Sequence, residues 1–382
     1  MRESRTKNII KNFSKEPIDF ILLAIVLTML ALGIIMVLSA SSPTSLAETG
    51  SSYDYVKTQA LSAVLGIIAM FIISKIDYRI FKKFDKLIYI AVVILLASVA
   101  VIGASEGGAK RWINLGFISF QPSEVAKIGL IIFYASLLTK NKQRLDEMWG
   151  GFFYPLMFLF PVIAILVGVQ NHLSATILIT LIVSVMMLMA GTKLRYFLTF
   201  GTAGATAGLG ALFLYAKITK KGLFRITRLI TFLDPFADIQ GAGWQVVQSL
   251  YAIGSGGLFG VGLGNSTQKY LYIPEAHNDF IFSIIAEELG FLGCVFVIFL
   301  FALFVWRGIV IAIKAPDMFG SLVAVGITTM VGLQAIINIA VVTSSMPNTG
   351  MPLPFFSYGG TSLLILMASV GILLNISRAS KK

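Results

Sequence analysis

The sequence predicts an all-α, polytopic integral membrane protein with about ten transmembrane helices and one long extracytoplasmic loop. Three observations predict it. The 382-residue chain is 57% hydrophobic and has a mean hydropathy of +0.87. Only 13% of its residues are charged, about half the share found in soluble domains. Its apolar residues fall in continuous runs of about twenty, not in alternating ones, and in lipid such runs form helices.

The first run begins near Ile18 and reaches Ala40. It is too long for the apolar core of a signal peptide and further spans follow, so it reads as a retained first helix. Further spans are expected at 57–74, 86–104, 122–139, 152–170, 172–191, 196–216, 279–306, 318–343 and 357–377. Between the seventh and eighth lies a loop, 217–278, whose aromatic residues favour order over a disordered tail. The whole chain, 1–382, is then one membrane domain: helices one to seven within 17–216, the loop, and helices eight to ten within 279–377. The single cysteine, Cys294, excludes an internal disulfide framework.

Charge sets the orientation. Twenty of the 30 lysines and arginines fall on one side: the N-terminus, 75–86, 140–144, 193–195, 307–314 and 378–382. That side is cytoplasmic by the positive-inside rule, and both termini lie on it. The net charge of +12 thus reads as topology and contact with anionic headgroups, not as nucleic-acid binding.

The scarce ionisable groups beside apolar runs are the candidate site. "YIPEAHNDFIFSIIAEELG" (272–290) gathers Glu275, His277, Asp279, Glu287 and Glu288 where the long loop meets the eighth helix. Asn278 reads as an N-cap, which puts Asp279 in the first helical turn. There Asp279 either complements the helix dipole or acts as a general base, its pKa raised by burial and tuned by Glu275 and His277. Glu287 and Glu288 lie roughly 12–14 Å deeper at 1.5 Å per residue. They read either as an internal ion pair or as support for the site from behind.

Lys110 and Arg111 break the charge asymmetry of the short outer loops. Pro122 opens the fourth helix at a favoured first-turn position, and Glu124 and Lys127 share one face. The latter two either neutralise each other or join Arg111 and the helix N-terminus in an anion site for a lipid phosphate or pyrophosphate. "GWQVVQSLYAIGSGG" reads as a short amphipathic helix, with Trp244 and Tyr251 at the interface and Gln245 and Gln248 toward a polar ligand. The glycines around it match no nucleotide-binding fingerprint. "SSMPNTGMPLPFFSYGGTS" (344–362) is irregular backbone, either a plain outer turn or a cavity lining. His172 has no second ligand nearby, so no metal is assigned.

Four stretches, "KRWINLGFISFQPSEVAK", "DPFADIQGAGWQVVQSLYAIGSGGLFGVGLGNSTQK", "YIPEAHNDFIFSIIAEELGFLG" and "MPLPFFSYGGTSLL", resemble in order the motifs of the SEDS family (shape, elongation, division and sporulation) of bacterial membrane proteins. "PEAH" is more similar to the division-type branch (FtsW) and its sporulation relative (SpoVE) than to the elongation-type branch (RodA). The resemblance implies a peptidoglycan glycosyltransferase that polymerises lipid II into β-1,4 glycan strands on the outer face of the bacterial cytoplasmic membrane, in septal wall synthesis during cell division. It implies that Asp279 is the catalytic base and that Arg111 and Lys127, helped by Lys110 or Lys269, hold the pyrophosphate. Glu124, Gln248, Glu275 and His277 join the expected substrate contacts. The implied partners are a class B penicillin-binding protein (a transpeptidase), other divisome membrane proteins and membrane lipid, with no nucleic acid. A pyrophosphate leaving group is compatible with a divalent cation, Mg2+ or Mn2+, and no ligand cluster calls for one. Two positions depart from the family's pattern. Asn278 stands where the family often has threonine, and "NHLSAT" (171–176) stands where it commonly has "PDLGTA", which leaves His172 near the place of an aspartate. Two other functions suit the same features: a lipid II flippase, favoured by Glu287 and Glu288 at depth, and a non-catalytic division or sporulation assembly subunit.

Overall fold

The computed structural model describes residues 17–380, apart from 107–108, 115, 117–118, 203, 205, 207–209, 211–231, 233, 240, 242 and 271. The basic N-terminal residues and nearly all of the seventh expected span past residue 202 lie outside the described residues. Among the described residues nine helices are long and apolar enough to cross a membrane, and the chain is a multi-pass membrane protein.

In chain order the longer helices are α1 (Phe20–Thr49), α2 (Asp54–Ile73), α3 (Asp85–Ile102), α4 (Pro122–Lys140), α5 (Tyr154–Gly168), α6 (Leu173–Ala190), α7 (described over 194–202), α8 (Trp244–Ser255), α9 (Ile281–Lys314), α10 (Met318–Val342) and α11 (Gly360–Ala379). α1 runs past its expected end at Ala40, carries Pro43 inside it, and stops at Gly50, whose φ of 77° is left-handed. Polar caps mark the starts of two spans. The Asp19 carboxylate accepts from Leu22 N–H at 3.0 Å and pairs with Arg307 at 2.7 Å. The Asp317 carboxylate accepts from Gly320 N–H at 2.8 Å.

α4 and α10 are the most enclosed spans and α2 and α3 the least. Leu61, Ile68, Ile94 and Val101 are exposed on the outer spans, as expected of side chains solvated by lipid tails. Small residues set the closest approaches. A Cβ on Gly371 of α11 would lie 2.6 Å from the Met70 carbonyl oxygen of α2, and one on Gly33 of α1 would lie 2.1 Å from that of Phe355.

Two features go beyond the expected helices. The first is a three-stranded antiparallel sheet, β1 (Gly103–Glu106), β2 (Ala109–Asn114) and β3 (Ser119–Phe120), with Ala104 opposite Trp112 and Ile113 opposite Phe120. It joins α3 to α4 and carries Lys110 and Arg111. The second is a break in α9 at Gly290 (φ 67°, ψ −166°), a conformation open in practice to glycine alone. The break frees backbone groups that lipid cannot satisfy. The loop after α8 satisfies them. Val261 and Gly262 N–H donate to the Glu287 and Glu288 carbonyls at 3.0 and 3.1 Å, while Phe291 and Leu292 N–H donate to the Gly257 and Leu258 carbonyls at 2.9 and 3.2 Å.

Candidate active site

Asp279 does not stand in the first turn of α9. The helix begins at Ile281 with Phe280 as its N-cap, and no side chain caps it. The Asn278 amide donates instead to the Glu275 carboxylate at 2.6 Å. Asp279 therefore sits in the turn before the helix, and the dipole reading loses its geometry.

That turn is held by its backbone. The carbonyls of His277, Asn278 and Asp279 accept, respectively, from Tyr358 N–H (2.9 Å), the Ser357 hydroxyl (2.6 Å) and the Asn338 amide (2.7 Å). Asn338, buried in α10, also donates to the Met351 carbonyl at 2.6 Å. Gln59 of α2 donates to the Ser357 carbonyl and accepts from Gly359 N–H. Segment 344–359 is thus a clamp that joins α2 and α10 to the Asp279 turn. Glu275 on the same turn has a φ of +54°, a strained conformation for a side chain of its kind.

The Asp279 side chain is left open. Among the described residues no group hydrogen-bonds its carboxylate. Gly350 (φ +64°) lies so close that a Cβ there would stand 3.1 Å from Oδ2. Part of Asp279 is exposed, yet protein atoms crowd the carboxylate, and that crowding raises its pKa to about 6. The Glu275 charge adds to the rise and the Arg111 charge opposes it. A carboxyl with this pKa is ionised at neutral pH and basic enough to take a proton.

Arg111 on β2 donates to the Asn171 carbonyl at 2.9 Å and to the Gln170 carbonyl at 3.4 Å, so it braces the start of α6. Lys110, its neighbour in the strand, is exposed. Side chains alternate along a strand, so Lys110, expected to help Arg111 with the pyrophosphate, lies on the opposite face of the strand. Lys127 is buried, 2.9 Å from Glu124 and 3.0 Å from the Gln334 amide oxygen. Gln334 in turn donates to the Pro352 carbonyl of the clamp at 3.1 Å. Beside this group opens a small cleft, polar at Glu124, Lys127 and Gln334 and apolar at Ile128, Met330 and Leu363.

Other expected site residues are engaged elsewhere. Lys269, expected to help with pyrophosphate, is buried and pairs with Glu288 at 2.9 Å, and it also donates to the Gly264 carbonyl and the Ser39 hydroxyl. Glu287 accepts from the Ser266 hydroxyl (2.5 Å) and from Thr267 N–H and hydroxyl (2.9 Å each). Glu287 and Glu288 therefore fasten the 256–269 loop to the broken α9, and neither supports Asp279. Trp244 and Gln245 of α8 donate to the Tyr272 and Pro274 carbonyls at 2.7 and 2.9 Å. They steady the approach to Asp279, and Gln248, expected to face a polar ligand, is buried. His277 is buried between the rings of Tyr55 and Tyr358. Burial pushes its pKa down against the pull of Glu275, so the ring is neutral. Sequence reasoning missed Gln59, Gln334, Asn338 and Ser357. Gln334 and Asn338 are polar residues in an otherwise apolar helix, which was the available signal for those two.

The model of the cell cycle protein family FTSW_RODA_SPOVE matches residues 20–382. The chain is 40% identical over 365 residues to stage V sporulation protein E of Bacillus subtilis, covering 95% of this chain and 98% of that protein. It is 41% identical over 364 residues to the probable peptidoglycan glycosyltransferase FtsW of Geobacter sp. (strain M18), covering 95% and 97%. Among solved structures it is similar to a chain from work on the structural coordination of polymerization and crosslinking by a peptidoglycan synthase complex (TM-score 0.79, 29% identity, 94% and 98% covered). It is also similar to the rod shape determining protein RodA of Thermus thermophilus (TM-score 0.69, 28% identity, 96% and 98% covered).

Proposed function

The chain belongs to the FtsW, RodA and SpoVE family of cell cycle proteins, and on that premise we propose that Asp279 is the general base of a membrane-embedded peptidoglycan glycosyltransferase. The enzyme polymerises lipid II on the outer face of the cytoplasmic membrane, in wall synthesis for division or sporulation. One observation carries the assignment of the base. The Asp279 turn is fixed through three backbone carbonyls, while the carboxylate has no hydrogen-bonding partner among the described residues and is pushed to a pKa of about 6. A carboxylate with only a structural role would be the bonded part.

The acceptor's 4-hydroxyl oxygen attacks the donor's anomeric carbon, and its proton passes to Asp279. A carbon–oxygen bond forms, the bond from that carbon to the pyrophosphate oxygen breaks, and the electron pair leaves with undecaprenyl pyrophosphate. Attack opposite the leaving group inverts the centre and gives a β-1,4 link. Arg111 and Lys127 hold the pyrophosphate and take up its growing charge, and the apolar part of the cleft takes the first units of the polyprenyl chain. A membrane-anchored transpeptidase of the class B penicillin-binding type crosslinks the product. The transport reading loses its main support, because Glu287 and Glu288 are taken up in fastening a loop.

The test supplies lipid II in detergent to the purified enzyme and its transpeptidase, with crosslinking blocked by penicillin. Wild type yields glycan polymer and Asp279→Asn yields none. Wild-type rates from a folded Asp279→Asn enzyme would overturn the assignment.

A further inference from the structure

His172 is 8% exposed, and its Nδ1 is buried with no hydrogen-bond partner among the described residues. The backbone fixes the ring's position. His172 N–H donates to the Leu166 carbonyl at 2.8 Å, and its own carbonyl accepts from the Thr176 hydroxyl at 2.9 Å. Arg111 grips the two carbonyls just before it, at 170 and 171. Burial first, and then the charges of Arg111 and Lys127, push the imidazole pKa down to about 3. The ring is therefore neutral at physiological pH, with one N–H donor and one lone pair.

A buried polar atom without a partner is costly and rare. The same segments hold three more: Ser123 Oγ, one turn before Lys127; Gln170 Oε1; and Thr349 Oγ1, whose residue's carbonyl accepts from Ser174. A neutral donor beside two cations suits a ligand with many acceptor oxygens and high negative charge. From this geometry we infer that His172 is a substrate-binding residue, donating its ring N–H to a phosphoryl oxygen of the pyrophosphate held by Arg111 and Lys127. The inference rests on the glycosyltransferase reading for the identity of the ligand. A donor without charge adds affinity there and leaves the net charge of the pocket unchanged.

The test measures binding without turnover. Geranyl pyrophosphate is titrated by calorimetry into the full-length enzyme in detergent. Losing a hydrogen bond to a charged group weakens binding about tenfold, so His172→Ala has a Kd about tenfold above wild type. His172→Gln, which keeps a neutral donor, stays within about threefold, and His172→Asp, which adds a like charge, binds more weakly than His172→Ala. Thermal melts run alongside. Variants that melt lower but bind as wild type would assign His172 a packing role and overturn the inference, as would a wild-type enzyme that does not bind the probe. Binding that depends on His172 in an enzyme that makes no polymer would uphold the inference and count against the glycosyltransferase reading.

Discussion

Replacing Asn338 by alanine tests the clamp on Asp279. The Asn338 amide donates to the carbonyls of Asp279 and Met351 at 2.7 and 2.6 Å, and the residue is 1% exposed. Alanine removes both bonds and leaves two enclosed carbonyls without a donor. A net contribution of about 1 kcal/mol per bond, plus part of the cost of unpaired buried acceptors, puts the loss at about 2–4 kcal/mol. The loss has a functional share, because one of the carbonyls belongs to the proposed base. A displacement of about 1 Å at a reacting group costs up to about a hundredfold in rate. The assay is initial polymerisation rate against lipid II concentration, with a melting curve of each variant. Asn338→Ala should lower kcat tenfold to a hundredfold with little change in KM, since Arg111 and Lys127 are untouched. A variant that melts lower but turns over at the wild-type rate would refute the claim that the clamp positions Asp279.

Further predictions concern the loop anchor and pH. Lys269→Met leaves Glu288 buried without its cation and should destabilise the enzyme by about 3–5 kcal/mol, visible as a lower melting temperature in detergent. Gly290→Ala puts a Cβ 2.3 Å from the Gly260 nitrogen at a φ of +67°. It should abolish folded, extractable protein in a membrane expression assay, while alanine at Gly168, where nothing lies within 4 Å, should be neutral. The polymerisation rate should fall as pH drops through about 6, because Asp279 accepts a proton only in its ionised form and burial, with Glu275, raises its pKa to that value. A flat profile from pH 5 to 8 would count against Asp279 as base.

Among the described residues the spans were legible in the sequence because apolar runs of that length have few other uses, and Pro122 marked the start of α4 to the residue. The sheet at 103–120 was not, because its strands are two to six residues long and show little periodicity. The Gly290 break was hidden because glycine inside an apolar helix is common, and only the loop that docks there shows the need for it. At the site, Asp279, Arg111 and Lys127 stood out as charges against an apolar background. For Glu287 and Glu288 the internal ion pair was among the readings and is found at Glu288, but the partners Lys269, Ser266 and Thr267 were hidden because they lie about twenty residues away in sequence. The start of α9 was misplaced because Asn278 has the chemistry of an N-cap, and its amide is drawn to Glu275.

The central claim is that Asp279 acts in the chemical step and not in binding or folding. The most direct measurement compares Asp279→Asn with wild type for lipid II affinity and for single-turnover polymerisation in one detergent preparation. The account predicts equal affinity, a melting temperature no lower than wild type and a rate lower by at least a thousandfold, because asparagine keeps the shape of a side chain that makes no hydrogen bond among the described residues and loses only its basicity. Retained polymerisation, or loss of affinity matching the loss of rate, would contradict it.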